Sequence, residues 1–137
     1  MPSEKFEAGL RVRREVLGDA YVDRAMGKVD DFDHDFHEMV TETAWGTWSR
    51  EGLERKQRSL NVLCILSCLN RQTEFELHLR KSLQNGCSVV EIRETLMQVA
   101  AYAGVPAGVE AFRIARRVLT EEGVLTDQGA VEKGAKE

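Results

Sequence analysis

Apolar residues in this chain recur at helical spacing and never alternate cleanly at period two, a pattern that predicts an all-helical fold. From Glu4 to Leu17, Phe6, Leu10 and Leu17 share one face, and Gly18 supplies a stop. Asp19 to Met26 fits a short helix ending at Gly27. Asp30 or Asp31 suits the cap of a segment carrying Phe32, Phe36 and Val40 at i, i+4 and i+8. Trp45-Gly46-Thr47-Trp48 interrupts the periodicity and reads as a connection. Leu53 to Leu69 has the widest apolar surface, with Leu60, Leu63, Cys64, Ile65, Leu66, Cys68 and Leu69 close together, and this predicts a central, buried helix. Asn70 suits the cap of the next helix, which runs to Asn85 with Gly86 as its stop. Ser88-Val89-Val90-Glu91 is a capping box, a strong local helix start. That helix buries Ile92, Leu96 and Val99 and ends near Tyr102-Ala103-Gly104. Pro106 belongs in the first turn of a last helix through Thr120. The expected organisation is one helical domain over residues 1–123. The tail at 124–137 has too little apolar content to pack and is expected frayed or docked on another subunit.

Composition narrows the function. A chain of 137 residues makes one domain with a modest core of its own. A net charge of −4 argues against a nucleic-acid partner, which calls for a basic excess. No apolar run approaches the roughly 18 residues of a membrane span. The start, Met1-Pro2-Ser3-Glu4-Lys5, lacks a signal peptide's apolar stretch, and three cysteines without framework spacing fit a reducing compartment. A cytoplasmic location is the expectation.

The chemistry-bearing stretch is Asn70 to His78. Arg71, Glu74 and His78 stand at i, i+3 and i+7, which makes one polar stripe on a helix. Histidine moves protons near neutral pH, and a neighbouring carboxylate fixes its tautomer and raises its pKa. The same spacing is also common on solvated helix faces, where it contributes only roughly 0.2–0.5 kcal/mol. Asp33, His34, Asp35 and His37 suggest a metal, but their spacing matches no standard signature, so a polar helix face is expected and no metal site. Cys64 and Cys68, at i and i+4 in the most apolar segment, read as small hydrophobes.

Taken in order, Asp31-Phe32-x-x-Asp35-Phe36, Trp45-Gly46-x-Trp48-Ser49-Arg50-x-Gly52-Leu53, Arg58-Ser59-Leu60, Glu74-x-x-x-His78-Leu79-Arg80, Asn85-Gly86, Glu91-Ile92-x-Glu94 and Tyr102-x-Gly104-x-Pro106-Ala107 resemble the gamma-carboxymuconolactone decarboxylases. The likeness runs from Phe6 to Leu119. It implies an all-helical bundle of the alkylhydroperoxidase-D-like type, self-associated as a trimer or hexamer with active sites near subunit contacts. It implies cofactor-free loss of CO₂ from 4-carboxymuconolactone, giving 3-oxoadipate enol-lactone in protocatechuate catabolism.

That reaction needs a grip on two carboxylates, donors aimed at a developing oxyanion, and a proton for carbon. With the resemblance in hand, His78 is the candidate acid and Glu74 its orienting partner. Arg71, Arg58 and Arg50 are candidates for the carboxylates, Ser59 and Tyr102 for hydrogen bonding, and Trp45 with Trp48 for excluding water. Plainer readings stand beside these. Arg58 pairs with a helix end or another subunit, Arg50 is a loop charge, Tyr102 is a core tyrosine, and the tryptophans are packing residues. Three other functions compete. A disulfide-dependent peroxidase on the same fold would need C-x-x-C, but Arg71 and Glu74 occupy the two cysteine positions. A different carboxylated lactone or keto acid is the second. A non-catalytic helical oligomer is the third.

Overall fold

In a computed structural model that describes all residues from Met1 to Glu137, the regular elements as far as Glu121 are all helical, and the chain forms two compact units, Met1–Glu54 and Arg55–Glu137. Two helices of the first unit follow the expected boundaries. Helix α1 (Glu4–Leu17) starts where the Ser3 hydroxyl accepts from the Phe6 amide at 3.0 Å, with Glu4 and Glu7 at the positive end of its dipole. It stops at Gly18, whose φ of 88° only glycine takes without strain. Helix α2 (Asp19–Met26) ends at Gly27.

The buried stripe of α1 is displaced from the expected one. Gly9, Val12, Arg13, Val16 and Leu17 face inward, while Phe6 and Leu10 are only half-buried. Gly9 sets this rotation. A Cβ there would lie 2.1 Å from the Thr41 carbonyl oxygen, so α1 rests directly on the backbone of the next helical segment.

That segment differs from the expected connection. Helix α3 (His34–Val40) runs straight into a π-helical turn (Thr41–Trp45) and the short helix α4 (Gly46–Trp48). The wider turn lets Thr41 and Trp45 both point into the core of the unit. The Thr41 hydroxyl donates back to the His37 carbonyl at 2.9 Å. The start of α3 also shifts. Asp30 Oδ1 accepts from the amides of Phe32 and Asp33, a local turn that delays the helix to His34. Phe32 and Phe36, expected on a buried face, are 97% and 59% exposed.

The second unit is a four-helix arrangement of α5 (Arg55–Cys68), α6 (Gln72–Gln84), α7 (Val89–Ala103) and α8 (Val105–Glu121). Leu60, Leu63, Phe75, Leu79, Ile92 and Leu96 fill its core with Ile114 and Val118. Helix α5 begins two residues later than expected and is less central. Leu63 is buried, but Ile65 and Leu69 lie on an exposed side. Asn70 closes α5 rather than capping α6. Its φ of 57°, with Asn70 N–H on Ser67 O and Arg71 N–H on Leu66 O, makes a Schellman end. Gly86 ends α6 in the same way, through Cys87 N–H on Ser82 O and Gly86 N–H on Leu83 O.

The Ser88 capping box is present in both directions, at 2.9 and 3.0 Å. Helices α7 and α8 approach so closely that a Cβ on Gly108 would stand 2.5 Å from that of Ala100. Past Gly123 the chain lies on its own unit. Val124, Leu125 and Val131 pack against the core, Leu125 and Val131 form a β-bridge, and Lys136 Nζ donates to Gly86 O at 2.7 Å. The apolar residues of the tail are few but contiguous with the core, which the composition of the tail alone did not reveal. No helix is long and apolar enough to cross a membrane.

Candidate active site

The Schellman end of α5 turns the chain within two residues, so α6 begins at Gln72 with Arg71 as its flanking residue. One and two turns along α6 come Glu74 and His78. Phe75, Leu79 and Ser82 form the buried face of this helix. His78 follows Phe75 by three and precedes Ser82 by four, so it borders that face and is half-buried, whereas Glu74 is exposed.

Burial outweighs the carboxylate here. Desolvation brings the His78 pKa down from 6.5 to about 4, and Glu74 only partly opposes it. At pH 7 the ring is therefore a neutral imidazole, able to donate one N–H and accept at its other nitrogen. This reverses the sign expected from the spacing, because helix periodicity brings the carboxylate near but is silent on how much water the ring loses.

The other candidates are dispersed. Arg71 is exposed and lines a cavity of about 280 Å³ with Leu66, Cys68, Phe75, Pro106 and Glu110, while Glu74 and His78 are not among its walls. Arg58 is half-buried on α5. Ser59 is buried and accepts from Asn85 Nδ2 at 3.0 Å, which ties α5 to the end of α6. Tyr102 is 88% exposed, which removes the reading of it as a core tyrosine. In the first unit Trp45 is buried, with its ring 5.4 Å from that of Trp48, and Arg50 is exposed just after α4.

Two supporting contacts do not follow from the sequence pattern. Asn85 holds Ser59, and Lys56 pairs with the capping-box carboxylate of Glu91 at 2.9 Å. The Lys56 pair and the cap together hold the Glu91 carboxyl at about 2. The signal for Asn85 was its place beside Gly86, where a side chain reaches across a helix end. Lys56 left no local signal.

Thiol chemistry has little support. Burial raises the Cys64 thiol and pushes Cys87 up to about 11, so neither is a thiolate at neutral pH. His34, Asp35 and Glu38 bring ligand atoms within 4.8 Å of one another on the exposed start of α3, a grouping that exposed acidic helix faces often show. The chemistry-bearing groups that remain are a half-buried neutral imidazole, a carboxylate one turn away and several arginines, in an all-helical protein.

These features suit acid–base chemistry, and Arg71 and Glu74 stand where a C-x-x-C pair before His78 would need its cysteines. Residues 34–117 match the model of the carboxymuconolactone decarboxylase family, and this chain belongs to that family. It is 36% identical to a 4-carboxymuconolactone decarboxylase of Acinetobacter baylyi over 126 residues, which cover 91% of this chain and 94% of that protein. It is 38% identical to a nitrosuccinic acid decarboxylase of Metarhizium robertsii over 125 residues, covering 90% of this chain and 85% of that protein. A 4-carboxymuconolactone decarboxylase of Pseudomonas putida is 51% identical over a shorter span of 43 residues. The protein is a decarboxylase, a carboxy-lyase of this family.

Proposed function

We propose that the substrate is a small dianionic lactone of the 4-carboxymuconolactone kind, converted to 3-oxoadipate enol-lactone and CO₂ in protocatechuate catabolism. The observation that supports this most is the likeness to the Acinetobacter enzyme along 91% of the chain. In that substrate the leaving carboxylate is on a carbon vinylogous to the lactone carbonyl. Breaking the C–CO₂ bond sends its electron pair into a dienolate that ends on the carbonyl oxygen. One proton must then reach carbon, so each turnover takes one proton from solvent.

His78 is the group assigned to that proton. In the ligand-free chain it is neutral, with a pKa of about 4. A dianion bound beside it raises that pKa, since an opposite charge at short range favours imidazolium. Substrate binding therefore loads the ring with the proton it delivers after CO₂ departs. Glu74 favours the loaded form, since its charge raises the pKa of the ring. Arg58 and Arg71 are the carboxylate-gripping candidates of this unit. Self-association covers the exposed Ile65, Leu69, Met97 and Tyr102 side chains.

A second reading comes from the Metarhizium relative. Nitrosuccinic acid is also a dicarboxylic acid, and its nitro group accepts the electron pair as the vinylogous carbonyl does. The deciding experiment gives the purified protein both compounds, with the lactone generated in situ from its muconate precursor. Faster loss of the lactone, with proton uptake when a non-reactive dicarboxylate analogue binds, supports the first reading. Turnover of nitrosuccinate alone supports the second. Inertness toward both would sink the two together.

A further inference from the structure

The second unit contains another cavity, which the proposed decarboxylation does not use. It measures about 300 Å³ and lies among α7, α8 and the chain after Gly123. Ile92, Leu96, Phe112, Leu119, Leu125 and Val131 supply apolar wall. The tail forms one side of it through a tight hairpin: Leu125 and Val131 are bridged, Gly129 N–H donates to Thr126 O at 2.9 Å, and Thr126 N–H donates to Ala130 O at 2.8 Å.

Three exposed arginines, Arg93, Arg113 and Arg116, line the same cavity. Their situations differ. Arg113 is saturated, because it donates to both oxygens of Glu110, at 2.5 and 3.0 Å. Arg93 has only a loose contact of 3.6 Å with its neighbour Glu94. Arg116 enters no ion pair. Its guanidinium lies over Gly129, where a Cβ would stand 3.3 Å from Nη1. Gly129 has a φ of +84°, so the hairpin is built on a residue without a side chain at the point where the guanidinium crosses it. The cavity thus combines apolar walls with one uncompensated positive charge.

The geometry points to a second ligand site here, for a small amphipathic monocarboxylate. Its apolar body lies against Ile92, Leu96, Phe112 and Leu125, and its carboxylate takes the fork of Arg116 with Arg93 beside it. One unmatched cation suits a single carboxylate better than a dianion, and a neutral ligand would leave the fork unused. The volume sits at the lower end of the roughly 300–1,000 Å³ typical of ligand pockets, which limits the occupant to about the size of octanoate or phenylacetate. The site is separate from His78, and it stands whichever substrate the decarboxylase takes.

The test titrates the full-length protein, in its native assembly, with sodium octanoate by calorimetry and locates binding by methyl NMR. Octanol serves as the uncharged comparison. Saturable octanoate binding is expected, with shifts at Ile92, Leu96, Leu125 and Val131. In Arg116→Gln, octanoate should bind roughly tenfold more weakly or worse, octanol should be unaffected, and decarboxylation should be unchanged. Arg116→Lys should restore part of the affinity. The site is overturned if octanoate binds equally well to Arg116→Gln, if the shifts gather around His78 instead, or if the wild type shows no saturable binding. The last result also covers the case in which a second copy of the chain fills the cavity.

Discussion

Helix α6 carries two acid–base pairs at the same i, i+4 spacing, and they have opposite fates. Glu76 and Arg80 lie 3.2 Å apart in a charge network with α8. Arg80 also reaches Glu121 at 2.5 Å and Glu122 at 2.9 Å, while Arg117 bridges Glu76 and Glu121. Hydrogen bonds donated by Arg117 and Arg80 hold the Glu76 carboxyl low, and those that Arg80 donates to Glu121, Glu122 and Glu76 hold its own guanidinium high, so every member keeps its charge. Two residues away, Glu74 and His78 have the same spacing, yet the imidazole loses its proton because burial costs the charged ring more than Glu74 returns. Spacing brings partners together. The amount of water left around them decides whether the pair is a surface tether or a group able to change protonation when a ligand arrives.

Experiments on the two pairs can break or sharpen this contrast. The largest effect is expected from His78→Asn, which should lower decarboxylase turnover by roughly 10²–10⁴, the usual range for losing a general acid. Near-normal kcat in that variant would take the imidazole out of the chemistry. The corresponding loss in Arg80→Gln should be negligible, because its network is turned to α8.

Next comes the pH dependence of stability. The folded-state pKa of His78 is depressed from 6.5 to about 4. Below pH 6.5 the unfolded chain binds a proton that the native chain refuses until near pH 4, so native stability should fall as pH drops through this window. The loss should reach ~2–3 kcal/mol and should disappear in His78→Asn, as read from denaturant midpoints at pH 7 and pH 4.5. In Glu74→Gln the ring should titrate at still lower pH, because the carboxylate raises its pKa. Histidine proton shifts in an NMR titration would show movement in either direction.

Smaller effects belong to local devices. Ser88→Ala removes one arm of the capping box on α7 and should cost about 1 kcal/mol, measured as a lower midpoint with unchanged slope. Arg80→Gln should cost only ~0.2–1 kcal/mol, and the loss should shrink in 1 M salt. A salt-independent loss above that range would mean that the network is not the exposed tether its geometry describes.

Much of the secondary structure was legible because it rests on signals a few residues long. Gly18, Gly27 and Gly86 end helices where expected, the Ser88 box starts one, and Ile92, Leu96 and Val99 are buried as their spacing predicted. Misreadings arose where a short signal competed with packing. Asn70 is as good a helix terminator as a cap, and its left-handed conformation closes α5. Trp45-Gly46 resembles a break, but a π-helical turn carries the chain through it and buries Trp45. The candidate site was less legible. Its residue types and spacing on α6 could be read, but Ser59 proved to be engaged by Asn85, Tyr102 lies open, and Arg71 lines a cavity away from the walls that would include His78.

By itself the sequence determined an all-helical chain, its main stops and caps, and its likeness to the decarboxylase family. Those depend on periodicity, backbone preference and the order of short motifs, all of which are local along the chain. Tertiary structure alone decided that His78 is neutral, that the tail packs on its own unit, and that Arg116 is left without a counter-charge beside an apolar cavity. Desolvation and charge balance depend on neighbours far apart in sequence, so they appear only once the helices are packed.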